Sequence, residues 1–488
     1  MIKHYGLLSL LFCCFFLRGE EASDKDFDLE RLMNMTVSSV TASELKLKET
    51  PAAVYILTSE DIKNAGFQSI PEALRMVPGM QVSQANSNSW SISSRGFNRL
   101  YSNKLLVMID GRALSTALFT GVFWESQDLL IEDIDRIEVV RGPGAVLWGA
   151  GAVNGVVNII TKRAEDSQGT YLKFLGGSHY KAITAIQHGD KINDDAFYKL
   201  SLKYRDVESS VNNVGGSSPD DWNFYKGDLR FDWDISKFTE LSFISGLGYS
   251  DHIGTSISRL DLRPTPLGSL AHPTTIQEGI ARVRNYYFLL NMKHEFSLSH
   301  RIHIGGFFDS AKRVHPIDTD RREVLDLNFK DFSFTENKSQ FVWGLGFRAK
   351  RDNAPDAPEI SISPQSTVYT KASGLMEYTH HLIDDELILV LGSKFEVNDY
   401  TGFEIQPSAR LSYHLNDKHL IWTSASRAVR NPARYEDSSR LMSSQSSPLI
   451  PAPFNAALLL RGNSKVKSEV LYAYELGFRS EWSEGLDT

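Results

Sequence analysis

Glycines at positions 142, 144, 149, 151 and 155 crowd residues 141–162, RGPGAVLWGAGAVNGVVNIITK. Such a run could wrap a phosphate. A dinucleotide loop needs G-x-G-x-x-G after a strand, with a helix opening at its end. Gly149, Gly151 and Gly155 miss that spacing by one residue, and the VVNIIT that follows is β-branched and apolar, the composition of a strand. Phosphate chemistry is excluded, and the glycines must serve sharp turns or close approach of backbone to backbone. The thirteen histidines, His380 and His381 among them, show no metal-ligand spacing. Cys13 and Cys14 are the only cysteines, and both fall in the apolar leader described below. The rest of the chain therefore has no thiol for a disulfide, a thiolate metal site or a nucleophile. No spacing of acid, base and nucleophile marks a catalytic centre, and no cofactor is expected. A net charge of −8 argues against nucleic acid as a partner.

Aromatic residues are more telling, at 11% of the chain, because membrane barrels carry girdles of them. Two segments, residues 85–103 and 115–126, gather Trp90, Phe97, Arg99, Tyr101, Phe119, Phe123 and Trp124. Aromatics with a few arginines at the floor of a pocket suit a bulky amphipathic ligand.

The elements that must position these residues follow two different grammars. Residues 1–22 pair Lys3 with an apolar run from Tyr5 to Leu17 and the small residues Gly19 and Ala22, the layout of a secretory signal peptide. Phe12 before Cys13 is too bulky for a lipid-attachment site, and no apolar run is long enough for a membrane-spanning helix. Residues 23–50 read as a connecting segment. Residues 51–163 read as a small α/β unit. VYIL is a strand, Ser59 caps the helix SEDIKNA that Gly66 stops, and Ser69 caps IPEALRMV with Pro71 in its first turn. The strands MQVS, SISSR and LLVMID follow, the last closed by Asp110-Gly111, before IDRIEVV and GVVNIIT.

From residue 164 onward about fourteen segments alternate apolar and polar residues. Tyr198, Leu200, Leu202 and Tyr204 alternate with Lys199, Ser201, Lys203 and Arg205, and Phe403 to Tyr413 repeat the pattern. Tight polar turns such as DISK, SLSH, TENK and LNDK alternate with long connections at residues 207–221, 251–280, 352–365 and 431–467. Short turns at one end and long loops at the other belong to an outer-membrane barrel, where every backbone group must be paired within the protein.

Taken together, the chain resembles a TonB-dependent outer-membrane receptor. The resemblance is carried by LLVMIDGRAL, DIDRIEVVRGPGAVLWGAGAVNGVVNIITK, VPGMQV with SSRGF, and in the barrel by SASRAVRNPARYE and SEVLYAYELGFRS. It implies an antiparallel membrane β-barrel with the α/β unit as a plug inside its lumen. The family barrel has twenty-two strands, so about fourteen mark this chain as the N-terminal part of a barrel, apparently truncated. The resemblance further implies that Met35, Thr36, Val37, Ser38, Ser39, Val40, Thr41 and Ala42 form the TonB box, which adds as a strand to TonB and its inner-membrane ExbB/ExbD motor. It matches Arg95 and Arg141 to plug positions that meet barrel glutamates. Glu475 is one of these, since Tyr472, Tyr474, Leu476 and Phe478 take the outward parity on its strand, and the second glutamate would lie beyond Thr488. Loops like 85–103 and 115–126 face outward in the family and touch substrate, although Phe97 and Trp124 are equally suited to packing the plug. The implied function is import of a large, scarce substrate, a ferric siderophore first, with cobalamin, haem or an oligosaccharide as alternatives. A passive porin would need no plug, and an enzyme is not expected.

Overall fold

The computed structural model describes residues 33–42, 45–212, 215–260, 274–335, 337–357, 360–383, 386–416, 418–445, 456–483 and 486–487. Residues 1–22, expected to be a signal peptide, and residues 23–32 lie outside these. From Gly169–Leu175 to Glu469–Ser483, fourteen strands pair antiparallel with their sequence neighbours in one sheet, and Leu486–Asp487 adds a fifteenth short one. Within the described residues the first and last strands of this sheet are not paired to each other. Register makes the two faces unlike. On Ala196–Val207, Leu200 and Leu202 lie about half exposed on the outer face while Lys199, Lys203 and Arg205 are buried on the inner one. Charge inside and hydrocarbon outside is the reverse of a soluble sheet and suits a wall set in lipid. Among the described residues no helix is long and apolar enough to cross a membrane.

Inside the curve of this wall sits the plug. Its sheet runs in the order Val54–Thr58, Ile134–Arg141, Gly155–Thr161, Leu105–Ile109, Arg112–Ala113, with Met80–Gln84 and Trp90–Ser94 paired beside it. β-branched residues fill the central strands, and Ile134, Ile137, Val139, Val157 and Ile159 are fully buried in its core. Asp110 and Gly111 both take positive φ, 51° and 87°, which makes the tight hairpin between Leu105–Ile109 and Arg112–Ala113.

Two local expectations are corrected. The cap of helix Ser59–Ala65 is Thr58, one residue earlier than Ser59, because Asp61 stands at the capping-box distance from Thr58 and both reciprocal bonds form. The second concerns residues 251–280. Strands Thr239–Leu260 and Thr274–Ser297 run on, paired, through most of that span. Strands that rise clear of the bilayer no longer need one apolar face, so the alternation that marks a spanning strand fades while the backbone pairing continues.

Candidate functional site

The three sets of residues singled out from sequence occupy three levels of the lumen. At the apex the seven ligand candidates separate. Phe97, Arg99 and Tyr101 are exposed, with Phe97 at 70%. Trp90, Phe119, Phe123 and Trp124 are buried. Phe119 and Phe123 pack edge to face at 5.1 Å and join Leu118, Ala354 and Ile362 beneath the outer loops. Arg75 covers the Trp90 ring at 4.9 Å, and Trp124 sits in the main plug core. These four rings pack within the plug, and Phe97, Arg99 and Tyr101 reach its surface, Tyr101 with its ring against Phe119 at 5.0 Å. Phe97, read as equally suited to packing, is the most exposed of the six rings.

Midway down, Arg95 forms an ion pair with Glu475 Oε1. Ser424 Oγ donates to Oε2 of the same carboxylate at 3.2 Å. Gly142, at φ 131°, passes so close that a Cβ there would lie 2.9 Å from Glu475 Oε1 and 3.1 Å from Arg95 Nη1. Arg141 stands beside this pair without sharing it. Its Nη1 donates to the Pro78 carbonyl oxygen at 2.9 Å. Burial, and then the charge of Arg95, hold its pKa below the ordinary arginine value. The three residues are therefore neighbours, but the bonded pair is Arg95 with Glu475.

At the third level the 35–42 segment is folded against the plug. Thr36 and Val37 pair antiparallel with Lys46 and Leu45. Val37, Ser39, Val40 and Thr41 are each at most 2% exposed. A buried carboxylate, Glu138, accepts from the Ser38 amide at 3.1 Å and from the Ser39 hydroxyl at 2.5 Å, and Arg136 Nε supplies its counter-charge at 3.0 Å. Trp148 Nε1 donates to the Ser39 carbonyl oxygen at 3.0 Å, and the Ala42 amide donates to Glu377 on the barrel at 2.7 Å.

The glycine run has its explanation here too. Gly149 and Gly151 take φ 79° and 105°, and the turn they make offers the Ala150 amide to Glu396 at 2.9 Å and the Gly151 amide to the Val429 carbonyl oxygen at 2.9 Å. Glu396 also accepts from Lys371 at 2.7 Å and Gln406 at 2.8 Å. The run is a backbone grip on the barrel wall.

Further contacts of this kind escaped the sequence reading. Asp128 receives Lys203 at 2.9 Å and Arg205 at 3.2 Å, and Asp133 receives Lys199 at 2.5 Å. Arg112 meets Asp309 at 2.7 Å, and Arg410 donates to the carbonyl oxygens of Pro51 at 3.2 Å and Pro143 at 3.3 Å. Burial pushes the Asp133 carboxyl up to about 6 against the opposing pull of Lys199. Burial acts on Asp128 in the same sense, yet Arg205 and Lys203 together overcome it and keep that carboxyl below its usual range. The only signal for these barrel residues in sequence was their inward parity.

A plug gripped inside a wall of this kind can be compared with known proteins. The model of the TonB-dependent receptor plug domain matches residues 46–156, and that of the TonB-dependent receptor-like β-barrel matches residues 169–487. The chain belongs to the TonB-dependent receptor family. Among curated relatives of this receptor, the vitamin B12 transporter BtuB of Vibrio vulnificus is 31% identical over 175 residues, 36% of this chain and 27% of that protein. The ferric enterobactin receptor PirA of Pseudomonas aeruginosa is 34% identical over 181 residues, 32% of this chain and 24% of that protein. The aligned segments thus span about a quarter of these relatives. Among solved structures, the siderophore receptor PirA from Acinetobacter baumannii superposes with a TM-score of 0.67 at 18% identity, covering 88% of this chain and 68% of that one. At that identity the likeness is one of fold.

Proposed function

We propose that this receptor imports a large, scarce ligand across the outer membrane, using energy delivered by TonB through residues 35–42. The observation that carries the reading is the plug itself, held in the lumen with exposed Phe97, Arg99 and Tyr101 at one end and the 35–42 segment at the other. A passive channel has no use for such a plug. Strand addition demands backbone donors and few particular side chains, and Thr36 and Val37 already lie in extended, strand-paired backbone.

The ligand is a ferric siderophore of anionic, aromatic character. Two exposed rings flanking Arg99 suit a catecholate chelate, which offers aromatic faces and negative charge together. Cobalamin is the second reading, favoured by the vitamin B12 transporters among the relatives. TonB, its ExbB/ExbD motor and outer-membrane lipid are the partners.

Cells expressing the full receptor should bind and take up radioiron-labelled ferric enterobactin, and deletion of TonB should stop uptake while leaving surface binding. Val37→Pro, which removes a backbone donor and fixes φ, should do the same with TonB present. Unchanged uptake in Val37→Pro would remove the coupling role from this segment. Cyanocobalamin uptake without iron uptake would replace the siderophore by the second reading.

A further inference from the structure

Strands Gly402–Asn416 and His419–Arg430 pair antiparallel from their shared turn up to Ser408 opposite Ser426, and there the ladder stops although both strands run on. On their other sides both strands stay paired to the end, Gly402 with Asn398 and Arg430 with Glu469. Pro407 stands at the break and has no N–H with which to continue. Backbone in a wall set in lipid must find its partners within the protein. This seam is held by other groups. The plug turn gives the Gly151 amide to the Val429 carbonyl oxygen at 2.9 Å, and Gln406 Oε1 accepts from the Val429 amide at 3.3 Å. Arg427 crosses the seam to the Ile405 carbonyl oxygen and to Glu404, the latter at 3.0 Å.

On the outer face, at the foot of the seam, lies a groove of about 590 Å³, a volume in the range of organic-ligand sites. Register explains it. One cross-strand row runs Tyr378, Leu391, Ala409, Ala425, Tyr474, so two alanines lie between larger side chains. The next row toward the seam sets Ser393 and Pro407 beside Met376, with Tyr472 beyond Arg427. In the row on the other side Leu411 stands opposite Thr423 and fills the floor again, which closes the groove at that end. The rim stands well out, with Tyr472 at 65% and Tyr474 at 82% exposed.

We propose that this groove is a lipid site, holding the hydrocarbon tails of a single bilayer lipid against the seam. The inference rests on the outer-membrane reading above and adds to it one defined site on a wall otherwise met by lipid at large. The occupant follows from position. The groove is continuous with the outward apolar face of the wall, whose neighbours in a membrane are lipid tails. Left unfilled, it would forfeit dispersion contacts along its whole lining. Its polar end does not choose a headgroup, because Glu404 already neutralises Arg427. The tails cover the seam from outside and keep water from the Arg427 bonds, while the plug holds Val429 from inside.

The test reconstitutes the full receptor in vesicles of phosphatidylcholine carrying a diazirine in one acyl chain, and maps the residues cross-linked on illumination by mass spectrometry. Cross-links should concentrate at Ala409, Ala425 and Tyr474 over Leu200 and Leu325, which are outward and exposed but lie outside the groove. Ala425→Trp, and separately Ala409→Leu, should lower the yield at the rest of the groove about tenfold, the factor set by denying burial to roughly two methylenes. Leu200 should be unaffected by either. Phosphatidylglycerol with the same labelled chain should give the same map. An even spread over all outward residues, or wild-type yield at the groove in both filled variants, overturns the site. A groove signal seen only with phosphatidylglycerol overturns selection by the tails. No cross-link to any outward residue, Leu200 and Leu325 included, overturns the membrane reading on which the site rests.

Discussion

The walls that flank the plug and the wall between them use the same inward parity differently. On one flank Lys199, Lys203 and Arg205 reach in to Asp133 and Asp128, and on the other Glu377, Glu396 and Arg410 hold backbone of the 35–42 segment and the glycine run. Between them Asp309 and Asp320 meet Arg112 and Thr116 of the plug, while Gly305 and Gly344 of the same wall have no side chain to reach with. Both parts of the lumen grip, but the central wall does so beside positions with short side chains. The difference teaches that a plug need not be held evenly to be held firmly.

The largest expected effect comes from breaking the flank. Asp128 is the shared anion of two buried cations, so Asp128→Ala leaves Lys203 and Arg205 buried without it. Loss of one partner from such a cluster costs roughly 3–5 kcal/mol. Plug docking should weaken by that order while barrel assembly continues, seen as an earlier urea transition of a fluorophore placed on Phe97→Cys. That label is specific once Cys13 and Cys14 are replaced by serine. Asn291→Ala on the central wall should leave the same transition unmoved, and an equal shift in both would erase the contrast between the walls.

A smaller effect separates two carboxylates of the same flank. The folded pKa of Asp133, about 6, lies above the ordinary value of about 4, so the docked plug binds more protons than the undocked one between those limits. Its contribution to docking is therefore present below about pH 4 and is lost as the pH rises through 6. Asp128, held below its usual range, contributes in the opposite sense and loses its share only as the pH falls through its lowered value. In the urea experiment Asp133→Asn should flatten the dependence between pH 4 and 6. A wild-type transition that moves later as the pH rises across that window would contradict the assignment.

The smallest effect belongs to the central ion pair, because Arg95 is nearly half exposed. Exposed pairs are worth about 0–1 kcal/mol. Arg95→Ala and Glu475→Ala should each increase leakage of large antibiotics slightly, and together no more than either alone. Arg141→Ala should add to both, since its bond goes to Pro78. Coupling of Arg141 with Glu475 would restore the three-residue cluster expected from sequence.

What could be read from sequence follows from what each signal depends on. The plug strands, the Gly66 stop and the Asp110-Gly111 turn depend on neighbours in the chain, and all three stand where expected. The outward set Tyr472, Tyr474, Leu476 and Phe478 depends only on period two and is exposed as read. The grips were not readable. Lys203 and Asp128 are 75 positions apart, and parity says only that a charge faces inward, never which group awaits it. The apex failed differently. Rings in a loop look alike whether they fill a core or meet a ligand, and burial alone separated Trp90, Phe119, Phe123 and Trp124 from the exposed three.

The short ladder that holds Thr36 and Val37 also has a mechanical meaning. Its two strands run antiparallel, so Met35, which accepts from the Leu47 amide at 2.9 Å, and Lys46 lie at the same open end. Tension on the chain before Met35 therefore loads these bonds one at a time, like a zipper, instead of shearing them all at once. The opposite end of the tether is anchored, since Arg479 on the barrel holds the carbonyl oxygens of Leu47, Thr50 and Ala52, the last two at 3.1 and 2.9 Å. A pull that breaks this ladder and the bonds of Ser38, Ser39 and Ala42 to Glu138 and Glu377 would peel the segment free up to that anchor before the load passes into the plug sheet. The chain would then yield in two stages, the segment first and the plug sheet after it.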